Sequence, residues 1–323
     1  MKRRKFIALL GCAVAWPLAA QAQQSRKLPS IGILNPESAS LAPLPAFLDE
    51  LRLLGWRDQD NVRLDIRSAE GRYELVPKLA GELVREAVDV IYTLGPDATL
   101  ATAAATKTLP IVAIDLETDP IATGLVEKLG RPGRNLTGLF LDLPEIAGKW
   151  LEFLGEIVPQ LSHVGVLGTT RINEAQFAAI EAVAVTSKQA LRRLNVENAR
   201  GFEAAFDTAM KERLQGIVVL SSPLVLDNRA RIATLAIERK LPTVFLFAQA
   251  AEAGSLIAYG PSVNDMSRRA AKLVTKVLNG AQPAELPIER PTQFELVVNL
   301  KTAHALGLAI PPTIFARADK VIE

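Results

Sequence analysis

Short apolar runs rich in β-branched residues alternate along this chain with stretches whose apolar residues recur every three or four positions. Such runs predict buried strands, and the longer periodic stretches predict amphipathic helices. In the first half the pattern predicts strands near 31–35, 62–67, 89–93 and 110–114, and helices near 43–54, 73–86, 97–106 and 120–129. Alternation of this kind indicates parallel βαβ units, in which a helix carries the chain from one strand to the next.

The same pattern starts again after a loop rich in glycine and proline at 130–138, an apolar run at 139–141 and a helix near 144–157. It predicts strands near 163–167, 190–194, 216–220, 242–247 and 255–259, and helices near 173–186, 202–213, 226–239 and 263–279. A proline-rich extended connection then leads to a strand near 294–299 and a helix near 301–306.

Several segments of the first half return in the second half, in the same order and roughly 130 residues later. Residues 28–35 (LPSIGILN) return as 161–168 (LSHVGVLG), and residues 107–114 (KTLPIVAI) return as 239–246 (RKLPTVFL). A period this long is not that of a solenoid repeat. The sequence therefore predicts two similar Rossmann-like α/β lobes with parallel sheets, and the cleft between two lobes is a favoured place for a small molecule.

The first 22 residues have the pattern of an export signal peptide. Four basic residues at 2–5 precede an apolar segment at 6–20, and Ala20-Gln-Ala22 is a small-x-small cleavage site. We therefore expect a periplasmic protein, exported by the general secretory route or by the twin-arginine route, which Arg3-Arg4 also fits. Lipoprotein anchoring through Cys12 is an alternative, since Leu9-Leu10-Gly11-Cys12 resembles a lipoprotein processing site.

Charge and cysteine content change once this leader is set aside. The whole chain has a formal net charge of +2, and the leader contributes four positive charges and no acid, so the remainder is slightly acidic. A nucleic-acid binder would carry a basic stripe and a recognisable reading module, and neither is predicted. Cys12 is the only cysteine, so the remainder has neither disulfides nor thiol chemistry. We also expect the protein to be a monomer, which suits a protein that diffuses.

Signals for catalysis or for a cofactor are absent from the sequence. The two histidines, His163 and His304, have no serine, cysteine or carboxylate beside them in a catalytic arrangement. No Gly-x-Ser-x-Gly elbow, dinucleotide-binding glycine motif or phosphate-binding loop occurs. We therefore expect no catalytic residue, no metal site and no cofactor.

Candidate ligand-binding residues follow from the predicted strands. In open parallel sheets, ligands lie beyond the carboxyl ends of the strands, where helix N-termini present N–H groups. This rule selects Asn35, Glu37, Ser38, Thr93, Gly95, Pro96, Asp115, Thr169, Thr170, Ser221, Ser222, Phe247 and Tyr259.

These candidates have different predicted roles. The hydroxyl residues would hold an anionic or carbonyl end of a ligand, although ordinary helix N-capping explains each of them equally simply. Asp115, one of an acidic group with Glu117 and Asp119, would pair with a cationic end, and Tyr259 would cover an apolar part. Phe245 and Phe247 share a strand face, which also fits a place in the core. We expect Asp119, followed by Pro120, to cap the helix near 120–129.

Several motifs also resemble a known family. They are Leu54-Gly-Trp56, the segment 131–138 (RPGRNLTG) and the segment 291–303 (PTQFELVVNLKTA). The chain resembles the exported substrate-binding proteins of ABC transporters, in the group related to tryptophan and tyrosine binders. The resemblance implies a periplasmic-binding-protein-like type I fold with three crossings between lobes, a small ligand closed between them, and a membrane permease and an ATPase as partners.

For the domains, we expect a signal peptide at 1–22, a first lobe at 23–139 plus about 260–281, and a second lobe at 140–259 plus about 282–323. The hinge would lie near 138–141, 258–262 and 280–292. The predicted function is capture of a small, amino-acid-like solute for import. A sensing module for a membrane kinase or chemoreceptor, and an enzyme on the same fold, are the alternatives.

Overall fold

Two parallel-dominated sheets, each covered by helices, give the protein two α/β lobes, as the sequence predicts. The computed structural model describes residues 28–36 and 44–323, apart from the side chains of residues 170–172. The predicted leader, with Cys12, lies outside the described residues. Within them, no helix combines the length and the apolar character that crossing a bilayer requires.

The elements follow one another in the alternating order that the apolar pattern predicts. The strands are β1 (Ser30–Asn35), β2 (Arg63–Ser68), β3 (Val90–Leu94), β4 (Ile111–Asp115), β5 (Leu136–Phe140), β6 (His163–Gly168), β7 (Ala190–Asn195), β8 (Gly216–Val219), β9 (Thr243–Phe245), β10 (Ile257–Pro261), β11 (Phe294–Asn299) and β12 (Lys320–Ile322). The helices are α1 (Leu44–Leu53), α2 (Val76–Arg85), α3 (Gly95–Ala105), α4 (Leu143–Ile157), α5 (Thr170–Ser187), α6 (Gly201–Lys211), α7 (Pro223–Asp227), α8 (Arg229–Glu238), α9 (Ala248–Glu252), α10 (Val263–Leu278), α11 (Leu300–Leu306) and α12 (Pro312–Phe315).

The two sheets share one strand order, which is the structural form of the sequence duplication. The first lobe has the order β2-β1-β3-β4-β5, with every pair parallel. The second lobe repeats it as β7-β6-β8-β9-β10 and adds β11, antiparallel to β10, and β12 at the edge. Corresponding strands therefore end at corresponding places, and their carboxyl ends carry the functional loops.

The helix predicted near 120–129 does not form. The carboxylate Oδ1 of Asp119 accepts hydrogen bonds from the N–H groups of Ile121 and Ala122 at 2.8 and 3.1 Å, as a capping residue would. Gly124 then adopts a φ of 68°, which ends the turn before a second turn of helix can form. The helix predicted near 226–239 is also divided, since α7 and α8 meet at Asn228.

Helix α10 follows the second lobe in the chain but packs on the first. It contacts α1 and the strands β3, β4 and β5, and its buried face includes Met266, Ala270 and Val274. The segment after it continues along the first sheet, where Glu289 N–H donates to Gly138 O at 2.9 Å and Phe140 N–H donates to Glu289 O at 3.1 Å. Residues 283–289 therefore lie along β5 of the first sheet.

The segments that join the lobes are bonded to one another. The guanidinium of Arg290 donates to the carbonyl oxygens of Phe140 and Leu141 and lies 3.6 Å from the carboxylate of Asp142. On α4, the indole N–H of the buried Trp150 donates to Tyr259 O at 2.9 Å. Arg290, in the connection near 280–292, is thus bonded to the connection near 138–141. Trp150, on the helix that follows, is bonded to the connection near 258–262.

The last parallel strand of each lobe carries a glycine where the neighbouring strand comes very close. A Cβ atom on Gly138 of β5 would lie 2.0 Å from Ala113 O, and a Cβ atom on Gly260 of β10 would lie 2.0 Å from Leu246 O. Neither carbonyl can withdraw without disturbing its own strand. A side chain is therefore excluded from both strands immediately before the chain leaves the lobe.

We predict that Gly138→Ala lowers the free energy of unfolding by more than about 3 kcal/mol, because the methyl group overlaps a backbone oxygen. The matched control is Gly148→Ala within α4, where the nearest atom to an added Cβ is Val183 Cγ1 at 3.9 Å. That control should be neutral or stabilising by up to about 1 kcal/mol. Urea denaturation measures both, and equal stabilities for the two variants would contradict the steric argument.

Candidate functional site

A cleft lies between the lobes at the carboxyl ends of the strands. The first lobe lines it with residues 35–36, 94–97, 114 and 116–117, and the second with residues 221–223, 226, 247 and 249. Helix α10 adds Val263 and Met266. Counted with its opening to solvent, the space is about 800 Å³.

One part of the cleft is apolar. The side chains of Leu94, Ile114 and Leu116 come from the ends of two adjacent strands, and Met266 comes from α10 beneath them. Phe247 faces this region from the second lobe. An apolar group of a ligand placed here would lose its contact with water on both sides, which is the main source of favourable free energy for such a group.

A direct hydrogen bond joins the two lobes inside the cleft. The hydroxyl of Ser221, which follows β8, donates to Oε1 of Glu117, which follows β4, at 2.6 Å. Both residues are 6% exposed. A carboxylate that accepts a hydroxyl hydrogen bond in a place poor in water is held more firmly than it would be at the surface.

Glu117 is positioned by a tight turn at the end of β4. The fully buried carboxylate of Asp115 accepts hydrogen bonds from the N–H groups of Glu117 and Thr118, both at 3.1 Å, and from the Thr118 hydroxyl at 2.7 Å. The other oxygen of Glu117 accepts from Leu116 N–H at 3.1 Å. Asp115 therefore acts behind the cleft surface and fixes the backbone that presents Glu117.

Ser221 is positioned in the second lobe by an amide network. The side-chain oxygen of Asn173 accepts hydrogen bonds from the N–H and the hydroxyl of Thr169, at 2.7 and 3.1 Å. Its side-chain nitrogen donates to the carbonyl oxygen of Ser221 and, at 2.6 Å, to Gln176. Thr169 and Asn173 thus hold the loop after β8 at a fixed distance from the loop after β6.

The structure brings six of the predicted site residues together in the cleft lining. These are Asn35, Gly95, Pro96, Ser221, Ser222 and Phe247. Ser222 also caps α7, since its Oγ accepts a hydrogen bond from Val225 N–H at 3.3 Å. Phe245, in contrast, is in the core of the second lobe. Because β9 ends at Phe245, the alternation of faces along the strand no longer applies to Phe247.

Four predicted site residues lie elsewhere. Thr93 is fully buried and its hydroxyl is 3.0 Å from that of Thr99. Asp115 and Thr169 lie behind the cleft surface, as described above. Tyr259 packs on the rings of Phe153 and Phe294, with centroids 4.9 and 5.6 Å away, so it belongs to the connection between the lobes. Of the remaining candidates, Glu37, Ser38 and the side chain of Thr170 lie outside the described part of the chain.

Several lining residues were not among the predicted ones. Glu117 belongs to the acidic group from which Asp115 was selected, and only the turn after β4 places it at the cleft while Asp115 stays behind it. Gln249 was missed because the sequence pattern did not predict the short helix α9, which carries this residue into the cleft lining. Val263 and Met266 carry no sequence signal for the cleft, since only the return of α10 to the first lobe brings them there.

Burial raises the pKa of Asp115 from its ordinary value of 3.8 to about 6. Loss of hydration is the largest cause, and the charge of Asp97 adds to it, whereas the hydrogen bonds from Thr118 and Glu117 act in the opposite direction. Between about pH 4 and pH 6 the folded protein therefore holds a proton at Asp115 that the unfolded chain has lost. This contribution to stability declines as the pH rises through that window.

We predict that Asp115→Asn gains stability relative to the unsubstituted protein as the pH rises from 4 to 7, by up to about 3 kcal/mol. The substituted side chain does not ionise, so the free energy of unfolding of the variant does not fall for this reason as the pH rises. Denaturant unfolding of both proteins at several pH values gives this difference directly. A difference that stays constant with pH for Asp115→Asn would contradict the argument.

Known proteins resemble this chain over most of its length. A tyrosine-binding protein of Clostridioides difficile is 24% identical over 266 residues, which cover 81% of this chain and 75% of that protein. The crystal structure of an ABC domain in complex with L-Trp from Streptococcus pneumoniae is 25% identical, with a TM-score of 0.83 over 92% of this chain and all of that one. A conserved domain protein of Vibrio cholerae superposes with a TM-score of 0.82 at 24% identity, over 91% of this chain and all of that one.

The family assignment rests on a sequence model that matches most of the chain. The family described as ABC transporter substrate binding protein matches residues 37–322. Its members bind solutes and are not enzymes, in agreement with the two-lobed cleft described above. This chain belongs to the ABC transporter substrate binding protein family.

Proposed function

We propose that this protein captures an aromatic amino acid in the cleft between its lobes and delivers it to the permease and ATPase of an ABC importer. The observation that carries the proposal is the composition of the cleft, in which apolar side chains of both lobes adjoin a buried carboxylate, Glu117. An aromatic amino acid has the matching parts, namely a large apolar ring and an ammonium group. Relatives named for tyrosine and crystallised with L-Trp support this ligand class.

The ring of the ligand would lie in the apolar part of the cleft. Leu94, Ile114 and Leu116 would cover one side of it, and Phe247 would contact it from the second lobe. Stacking against Phe247 adds to the free energy gained from burial, because aromatic pairs attract beyond their contact area. Contacts from both lobes to one ring favour the closed arrangement.

The charged end of the ligand would lie near Glu117. A carboxylate has about four lone-pair sites, so Glu117 can accept an ammonium N–H in addition to the hydroxyl of Ser221. The first turn of α3 carries the carboxylate of Asp97, which would repel the carboxylate of the ligand, so that group would lie on the side of the second lobe. The hydroxyl of Ser222 lies in the same lining.

The proposed function includes export of the protein from the cytoplasm. A leader at 1–22 would direct the protein to the periplasm, where a receptor for an importer meets its solute. Closure around the solute would give the permease a surface that differs from that of the open form. The lobes would span about 23–139 with 260–289, and 140–259 with 290–323, and would rotate about the segments that connect them.

We predict that L-tryptophan or L-tyrosine stabilises the protein after it has been freed of bound ligand by unfolding and refolding. A ligand at about 100 times its dissociation constant adds about 2.7 kcal/mol. The midpoint of thermal unfolding should then rise by about 2–4 °C. Aliphatic and acidic amino acids and sugars form the comparison panel. A rise with one of those classes and none with aromatic amino acids would show that the proposed ligand class is wrong.

We predict that Glu117→Gln removes the preference for a ligand that carries an ammonium group. Titration calorimetry should show that the unsubstituted protein binds L-tryptophan at least about tenfold more tightly than indole-3-propionate, which lacks that group. The variant should bind the two within a factor of about three. Tyr259→Phe, outside the cleft lining, is the control and should keep the full preference; retention of that preference by Glu117→Gln would rule out this role for Glu117.

A further inference from the structure

We propose that Glu117 and Ser221 form a clasp that holds the two lobes together without help from a ligand. The inference concerns the closing of the cleft on which the proposed function rests, but it goes further, because it assigns part of the closing free energy to the protein itself. Both atoms of the bond, Ser221 Oγ and Glu117 Oε1, are protein atoms, and they come from different sheets.

The clasp lies where separation of the lobes must break it. Ser221 follows β8, in the middle of the second sheet, and Glu117 follows β4, which β3 and β5 flank in the first. The segments that connect the lobes lie elsewhere, at the ends of β5, β10 and the stretch before β11. A rotation about those segments moves the loop after β4 away from the loop after β8, so a bond of 2.6 Å between them does not survive opening.

Both members of the clasp are held rigidly within their own lobes. The turn at Asp115 fixes Glu117 through its backbone N–H, and Leu116 N–H fixes one of its carboxylate oxygens. On the other side, Asn173 binds the carbonyl oxygen of Ser221 and is itself anchored by Thr169. Since the Glu117 carboxylate and the backbone of Ser221 are already held, only the hydroxyl rotation of Ser221 is ordered when the bond forms, and little conformational entropy is lost.

The neighbouring Ser222 makes its side-chain hydrogen bond within the second lobe only. Ser222 is as deeply buried as Ser221 and lines the same cleft. Its oxygen accepts the N–H of Val225 in the following helix, within the second lobe. Ser222 therefore provides a matched control for the loss of a hydroxyl group from the cleft.

The clasp raises the fraction of ligand-free molecules whose lobes are closed. A hydrogen bond to a carboxylate in a buried place shifts an equilibrium by about tenfold. If the closed form is the one that binds, the apparent affinity is the intrinsic affinity multiplied by the closed fraction of the free protein. The clasp thus raises affinity by keeping the lobes near their final positions, and the ligand need not supply all of the closing free energy.

The test is the size of the ligand-free protein in solution. Small-angle X-ray scattering should be recorded for the unsubstituted protein, Ser221→Ala and Ser222→Ala, each freed of ligand by unfolding and refolding. We expect a larger radius of gyration for Ser221→Ala than for the unsubstituted protein, because more molecules are open, and no change for Ser222→Ala. The affinity of Ser221→Ala for L-tryptophan should fall by at most about tenfold.

Two results would overturn the clasp. One is a radius of gyration for Ser221→Ala equal to that of the unsubstituted protein, and the other is an expansion of Ser222→Ala as large as that of Ser221→Ala. If Ser221→Ala fails to fold, as judged by circular dichroism, Glu117→Gln gives the same test with the weaker amide acceptor and should also expand. The scattering needs no ligand, so absence of binding by aromatic amino acids would refute the proposed function and leave this inference standing.

Discussion

A carboxylate taken out of water between two lobes must be surrounded by hydrogen-bond donors, and much of the cleft is arranged around this requirement. Glu117 is 6% exposed and receives a backbone N–H from its own lobe and a hydroxyl from the other. Leaving such a group without donors would cost several kcal/mol. Closing the lobes therefore provides part of the hydrogen bonding that the carboxylate needs, and this links the position of the lobes to the charge in the cleft.

The duplicated lobes meet this requirement in parallel ways. In each lobe a polar side chain that is hidden from the cleft holds the backbone of the residue that faces it. Asp115 does so for Glu117 with a carboxylate, and Asn173, supported by Thr169, does so for Ser221 with an amide. Few polar groups of the site thus face the cleft, and buried groups that touch no ligand hold them in position. Such supporting groups keep a binding site in one geometry.

The sequence predicted the lobes and their strands well, because buried parallel strands are marked by apolar runs and several of these runs are repeated in both halves of the chain. It also located the loops of the site, since the carboxyl ends of strands follow directly from the strand order. It did not separate residues that face the cleft from residues that support it. Asp115 ends a strand just as Asn35 does, and Thr93 is the last residue but one of β3, but only the twist of the sheet and the packing of the helices decide which side chain reaches the opening.

Long-range packing limited the other predictions. Tyr259 stands at the end of a strand, but the rings of Phe153 and Phe294, distant in sequence, draw it to the connection between the lobes. Residues 283–289 read as an extended connection, and their hydrogen bonds to Gly138 and Phe140 cannot be inferred from local pattern. The turn after Asp119 had a capping residue and a proline, which start helices and turns alike, and Gly124 decided for the turn.

Helix α10 has a consequence for the order in which the protein is made. The surface of the first lobe formed by α1 and by strands β3 to β5 is covered by a helix at 263–278, which is synthesised only after most of the second lobe. Until that helix arrives, an apolar face built around Phe47 and Tyr92 stays open to water. The first lobe therefore cannot finish folding from the N-terminus alone. During synthesis, the early half of the chain remains incomplete until about four-fifths of the protein exists, and the two lobes reach their native state together.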